Sequence, residues 1–244
     1  MLLRVRYLAV IASACSPAGT GPSPPAEETC KHGLLQSPID LHAVAERGAD
    51  RLHFDYRPDT LRIQNTGHTV QVDHRSGSTV RAGDQTFELV QYHMHSPSEH
   101  TVEGKRYPLE IHLVHRNAAG LLAVVGVLVE EGPESPAEAA TTAVIWDHLP
   151  ATAGAHAEAV SQVDPATLLP ADHTHFFYTG SLTTPPCTEH VRWHVMTTPV
   201  PLSAAHIAAF RRLYSDNARP VQRPDWCPSH GAAPASTPAG GQIP

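Results

Sequence analysis

Residues 91–100 read QYHMHSPSEH, with His93 and His95 one residue apart. On a helix two such residues point to different sides, whereas on a strand they share a face and can grip one object. The surroundings decide between the two. TLRIQNTGHTVQVDH (60–74) and TFELVQYHMH (86–95) alternate apolar and polar residues, and the turn-prone RSGS (75–78) and AGD (82–84) separate them. LEIHLVH (109–115) alternates in the same way. These segments predict strands. LLAVVGVLVEEGP (121–133) opens on an unbroken apolar run of nine residues and closes on charge, Gly and Pro. That is the pattern of a strand buried on both faces in mid-sheet, and it is too short for a membrane span.

The wider chain agrees. Its 244 residues suit one domain with one core. Hydrophobic residues make up 41% and aromatics 6%, while 23 prolines and 16 glycines break the chain often, so short strands and turns should outnumber helices. One helix is expected, where Ser203 can cap AAHIAAFRRLY (204–214) and Ile207, Phe210 and Tyr214 recur at helical spacing. The formal charge of -7 and the lack of a Lys/Arg cluster argue against a nucleic-acid partner.

The N-terminus, MLLRVRYLAVIASACS, has arginines, a short apolar stretch and small residues, the make-up of an export signal over 1–14. ASAC also resembles a lipoprotein box in which Cys15 is acylated, so two processing routes are open. The protein is expected to be exported, and either periplasmic, secreted or anchored by lipid at Cys15. A Pro/Gly-rich linker follows over 15–29, the domain over 30–225, and a low-complexity tail over 226–244. Export favours disulfides, and Cys15, Cys30, Cys187 and Cys227 allow three pairings if all four are bridged.

His93 and His95 need a third ligand to hold zinc, and the next strand offers His112, which shares its face with Glu110. Three neutral imidazoles and one open position make a catalytic zinc site. Gln91 and Glu110 each lie two residues before a candidate ligand, on its face, where they can anchor its other nitrogen. His115 has the opposite parity and reads as a surface or packing histidine, and HTH at 173–175 as structural or surface. With 18 histidines in the chain, close pairs also arise by chance, and spacing alone does not separate a zinc site from that outcome.

QYHMHSPSEHTVEGKRYPLEIHLVH (91–115), GSLTTPPCTEHVRW (180–193) and NARPVQ (217–222), with QSPIDL (36–41) upstream and NTGH (65–68) between, resemble the α-class carbonic anhydrases in order and spacing. The resemblance covers residues 30 to 222. It implies a mainly β fold, a large twisted and mostly antiparallel β-sheet with short peripheral helices. The three-histidine catalytic zinc site is itself best known from this family, so the two readings are not independent.

Carried over motif by motif, the resemblance implies zinc ligands His93, His95 and His112 with Gln91 and Glu110 behind them. Thr183 matches the threonine that accepts a hydrogen bond from zinc-bound hydroxide and donates to a glutamate, here Glu99. Thr184 matches the threonine that contacts bicarbonate. Val114, Val124, Leu182, Val191 and Trp193 resemble the apolar wall where carbon dioxide rests, and His68 the histidine that carries the proton away. The implied reaction is reversible hydration of carbon dioxide by zinc-hydroxide attack, with the proton exported through His68. Zinc lowers the pKa of a bound water towards neutrality, a property measured on this family and not inferred from these residues. Outside their motifs, Thr183 would read as a turn residue and Glu99 as a solvated strand-end carboxylate.

The resemblance also implies a Cys30–Cys187 disulfide and cis-prolines at Ser37–Pro38 and Pro185–Pro186. The chain departs from the pattern in three places. The family's Trp/Tyr-containing segment before the first cysteine has no match, which bears on the proton-transfer water network. The chain after RPVQ differs from the family's final strand, and Met94 stands where an aromatic is frequent. Two rivals are a catalytically impaired carbonic-anhydrase-like binding module, whose usual sign is a missing zinc histidine, and a His-rich metal buffer, which would take up several metal ions per chain.

Overall fold

A computed structural model describes residues 26–42, 46–47 and 51–223. The segment read as an export signal, Cys15, Cys227 and the stretch read as a tail lie outside the described residues. The described strands are β1 (Asp40–Leu41), β2 (Glu46–Arg47), β3 (Leu52–Asp55), β4 (Asp59–Asn65), β5 (Val70–Asp73), β6 (Thr79–Ala82), β7 (Gln85–His95), β8 (Thr101–Val102), β9 (Lys105–Arg106), β10 (Leu109–Arg116), β11 (Leu122–Glu131), β12 (His156–Val163), β13 (His175–Ser181), β14 (Glu189–Met196) and β15 (Val200–Leu202). The described helices are α1 (Ala26–His32), α2 (Pro136–Trp146) and α3 (Ala204–Leu213).

One sheet holds 12 strands, in the order β12-β4-β5-β7-β10-β11-β14-β13-β2, with β6 between β3 and β7 and with β15 beside β11. Its pairings are antiparallel except those of β11 with β14 and with β15. The fold is mainly β, as expected. The long apolar run forms β11, paired to β10 from Leu109↔Val129 to Arg116↔Leu122 and to β14 on its other side. Both its faces are covered, so an uninterrupted apolar run is the stable sequence there.

The two faces carry different layers. Behind the sheet, Tyr92, Met94, Ile111, Leu113, Val125 and Val127 pack with Ile145 of α2 and Ile207 and Phe210 of α3. In front, Val124, Leu128, Val191, Trp193 and Val195 pack with Ile39 and Leu41. Alternation along β10 and β14 sends neighbouring residues to opposite layers.

The Ser203 side chain accepts the His206 N–H at 3.3 Å and caps α3, which ends at Leu213; Tyr214 is its C-cap and not part of its last turn. α2 was not anticipated, although Ser135 and Glu138 form a capping box there, with Pro136 as the first helical residue. α1 begins within the stretch read as linker. Cys30 and Cys187 are disulfide-bonded, Cα to Cα 5.1 Å. Ser37–Pro38 and Pro185–Pro186 are cis, and Ser96–Pro97 is a further cis bond.

Candidate metal centre

The register of β7 on β10 builds the centre. His93 lies opposite His112 and His95 opposite Glu110, so all four project from the front face. One nitrogen from each of His93, His95 and His112 lies within 4.8 Å of the others, close enough to share one ion. The rings stand at 5.1 Å (His93–His95), 5.3 Å (His93–His112) and 4.7 Å (His95–His112) between centroids.

Each ring is held by its other nitrogen. His93 Nδ1 donates to Gln91 Oε1 at 2.9 Å and His112 Nε2 to Glu110 Oε1 at 3.0 Å, the partners expected from parity. His95 Nδ1 donates to the Asn217 carbonyl at 3.1 Å, a partner 122 residues away that parity does not reveal. These bonds set the tautomers and leave His93 Nε2, His95 Nε2 and His112 Nδ1 for an ion. His95 Nε2 is buried with no hydrogen-bond partner. Burial first, and then the neighbouring rings, hold His93 well below the usual imidazole range, and burial likewise lowers His95. Neutral donors of this kind suit a divalent ion.

Glu110 is fully buried and also accepts the His100 backbone N–H at 2.8 Å and His100 Nδ1 at 2.7 Å. Burial works against its charge, but the His100 and His112 rings outweigh it and hold the carboxyl well below the usual range. The chain of bonds continues from His100 Nε2 to the Tyr178 hydroxyl at 2.7 Å and from Tyr178 to Ser37 Oγ at 2.8 Å. His100, Glu110 and His112 also meet the spacing of a metal set, but Glu110 here serves as hydrogen-bond acceptor to both rings.

Glu99 is buried, and its Oε1 accepts the Arg219 backbone N–H at 2.8 Å. Its Oε2 lies 3.8 Å from His112 Nδ1 and has no hydrogen-bond partner. Thr183 is buried in the turn after β13, where Leu182 N–H bonds to the Thr188 carbonyl and Cys187 N–H to the Thr184 carbonyl, both at 2.9 Å. No described hydrogen bond joins Thr183 to Glu99. Thr184 is exposed in the same turn.

The five wall residues do meet. Val114 lies opposite Gln91 on one side and Val124 on the other, and Val124 lies opposite Trp193. Val191 and Leu182 complete the same front cluster. Trp193 stands 4.8 Å from the His112 ring, and its Nε1–H is satisfied by the Ser181 carbonyl at 2.9 Å. His68 is exposed in the turn between β4 and β5. His115, His173 and His175 lie away from the centre. His115 is fully buried with Nε2 2.7 Å from the Tyr56 hydroxyl, so it packs and is not on the surface.

A family model described as eukaryotic-type carbonic anhydrase matches residues 23–224. A carbonic anhydrase of Nostoc sp. is 44% identical over 199 residues, 79% of this chain and 74% of the relative. The α-carbonic anhydrase of Photobacterium profundum superposes with a TM-score of 0.74 at 39% identity, covering 82% of this chain and 93% of that one. That of Thermovibrio ammonificans, solved with the inhibitor sulfanilamide, gives 0.76 at 37% identity, covering 82% and 88%.

Proposed function

The chain belongs to the eukaryotic-type, or α, carbonic anhydrase family, and on that premise we propose that it is an exported zinc enzyme that reversibly hydrates carbon dioxide to bicarbonate and a proton. The observation that carries this reading is the convergence of three imidazole nitrogens within 4.8 Å beside a buried apolar wall. Three imidazole nitrogen donors fit zinc, and the buried, unpartnered His95 Nε2 fits a group bound there. Bound zinc supplies the Lewis acidity that makes water nucleophilic near neutral pH.

The chain's own residues do the rest. His93, His95 and His112 hold the metal, while Gln91, the Asn217 carbonyl and Glu110 keep each ring in the tautomer that presents a lone pair. Glu99, held by the Arg219 N–H, offers Oε2 to the Thr183 hydroxyl; a threonine that donates there keeps its oxygen as an acceptor and orients the attacking water. Thr184 positions the product anion. Val114, Val124, Leu182, Val191 and Trp193 receive an apolar molecule and keep bulk water from it. His68, at the surface, carries the proton out, since imidazole is the side chain suited to proton exchange near neutral pH.

The test is stopped-flow carbon dioxide hydration with zinc content measured on the same sample and a His112→Ala control. Rapid hydration with about one zinc per chain, lost in the control, is expected. Zinc without hydration points instead to the impaired binding module. Export is supported by the Cys30–Cys187 disulfide, which persists in oxidising compartments, and among the described residues no helix is long and apolar enough to cross a membrane. Intact mass of the exported chain reads out signal cleavage and any acyl group on Cys15.

A further inference from the structure

The exposed His68 ring makes no described hydrogen bond, so its place depends on how its backbone is held. Within the turn, Thr66 N–H donates to the Thr69 carbonyl at 2.9 Å, Thr66 Oγ1 accepts the His68 and Thr69 N–H groups at 3.3 and 3.1 Å, and Asn65 Oδ1 accepts the Gly67 N–H at 3.0 Å. With Gly67 at φ 85°, these bonds shape the turn without tying His68 to the metal ligands.

Asn217 makes that tie. Its side-chain Nδ2 donates to the His68 carbonyl at 2.9 Å and to the Met94 carbonyl at 3.2 Å, and its Oδ1 accepts the Ser96 N–H at 2.7 Å. Met94 lies between the ligands His93 and His95, and its carbonyl also accepts the Thr69 hydroxyl from the far side of the turn. The Asn217 backbone bonds to the same strand end, N–H to the Ser96 carbonyl at 3.1 Å and carbonyl from His95 Nδ1 at 3.1 Å. One residue thus touches the turn that bears His68 and the strand end that bears two ligands.

We propose that Asn217 is a positioning residue for proton transfer: its side-chain amide clamps the His68 turn to the ligand strand and so sets the span a proton crosses on leaving the metal centre. The proposal rests on the reading of His68 as proton carrier. Transfer along a hydrogen-bonded chain is sensitive to the placement of its ends, so a loosened turn slows proton export more than it slows attack on carbon dioxide.

Asn217→Asp keeps an oxygen for the Ser96 N–H and removes both Nδ2 donors, and Asn217→Ser is the second variant. Each is measured, with its zinc content, for amide hydrogen exchange across residues 66–69 and for hydration kinetics in weak buffer. Faster exchange in the turn is expected, with kcat lowered roughly tenfold, kcat/KM lowered by less, and kcat restored by added imidazole. Unchanged exchange in the turn overturns the clamp, and so does a joint fall of kcat/KM and zinc content that imidazole does not repair. A His68→Ala protein that keeps the wild-type kcat in weak buffer overturns the carrier reading instead, and the exchange data, which do not depend on that reading, tell the two failures apart.

Discussion

At the scale of single residues, Glu110 is where the centre is most exposed to damage. It accepts three hydrogen bonds in a buried site, two of them from His100 and one from His112. Glu110→Gln turns part of that acceptor into a donor facing donors, which leaves buried N–H groups unpaired and frees the His112 ring to rotate. Zinc affinity should fall by about 10- to 100-fold, read by competition with a chromophoric chelator. Gly126 lies opposite His112 on β11, and a Cβ there would meet Glu110 Oε1 at 3.1 Å and Val195 Cγ2 at 3.2 Å. Gly126→Ala should therefore cost about 1–3 kcal/mol in urea unfolding and weaken zinc binding too, whereas a purely structural cost would leave the metal affinity unmoved. The convergence of His93, His95 and His112 and two of their local anchors were legible because strand parity carries Gln91 with His93 and Glu110 with His112. The Asn217 and Tyr178 contacts were not, since they cross 122 and 78 residues and depend on tertiary pairing.

At the scale of elements, the disulfide joins the end of α1 to the turn that carries Thr183 and Thr184, across a sequence separation of 157. A crosslink over so long a loop restricts the unfolded chain strongly, and its removal by Cys30→Ser with Cys187→Ser should cost about 2–5 kcal/mol in urea unfolding. The turn keeps other anchors, among them Leu35 N–H on Glu189 Oε1 at 2.7 Å and Ser37 N–H on Ser181 Oγ at 3.0 Å. Zinc content should thus survive at native conditions, because β7 and β10, which carry the candidate ligands, lie outside the crosslinked turn. The elements themselves were unevenly legible. β11 and α3 declare themselves by an unbroken apolar run and by a cap before a three-four repeat. α2 buries only Thr141, Thr142 and Ile145 and has no clean apolar stripe, so its one clear signal was the Ser135–Glu138 capping box, which apolar periodicity overlooks.

For the whole molecule, a sheet that turns His93, His95 and His112 to one face must bury the alternate residues behind it, and among the described residues these include histidines. β10 offers His112 to the front and carries the buried His115, while β14 offers Trp193 and carries the buried His194. Burial pushes His115 down to about 3. Burial, followed by His175, Arg192 and His115, pushes His194 to about 3 as well, and neither of its ring nitrogens has a hydrogen-bond partner. The folded state favours the neutral rings, whereas unfolded imidazole titrates near about 6.5, so between the two values the unfolded chain binds more protons. Their contribution to stability is therefore complete above about pH 6.5 and is lost as pH falls towards about 3. His74 and His173 are lowered by burial and act with the same sign. The upper part of this window lies above the range in which ordinary carboxylates titrate, so a loss of stability between about pH 6.5 and about pH 5 belongs mainly to buried imidazoles. His194→Phe removes one titrating ring while keeping an aromatic beside Phe177, whose ring centroid is 5.1 Å away. Urea midpoints taken at about pH 7.5 and about pH 5 should show a shallower fall in this variant than in the parent chain. Equal falls would mean that the His194 ring is not among the groups that make the fold acid-sensitive, and would move the origin to His115 and the other rings lowered by burial, His93 and His95 included.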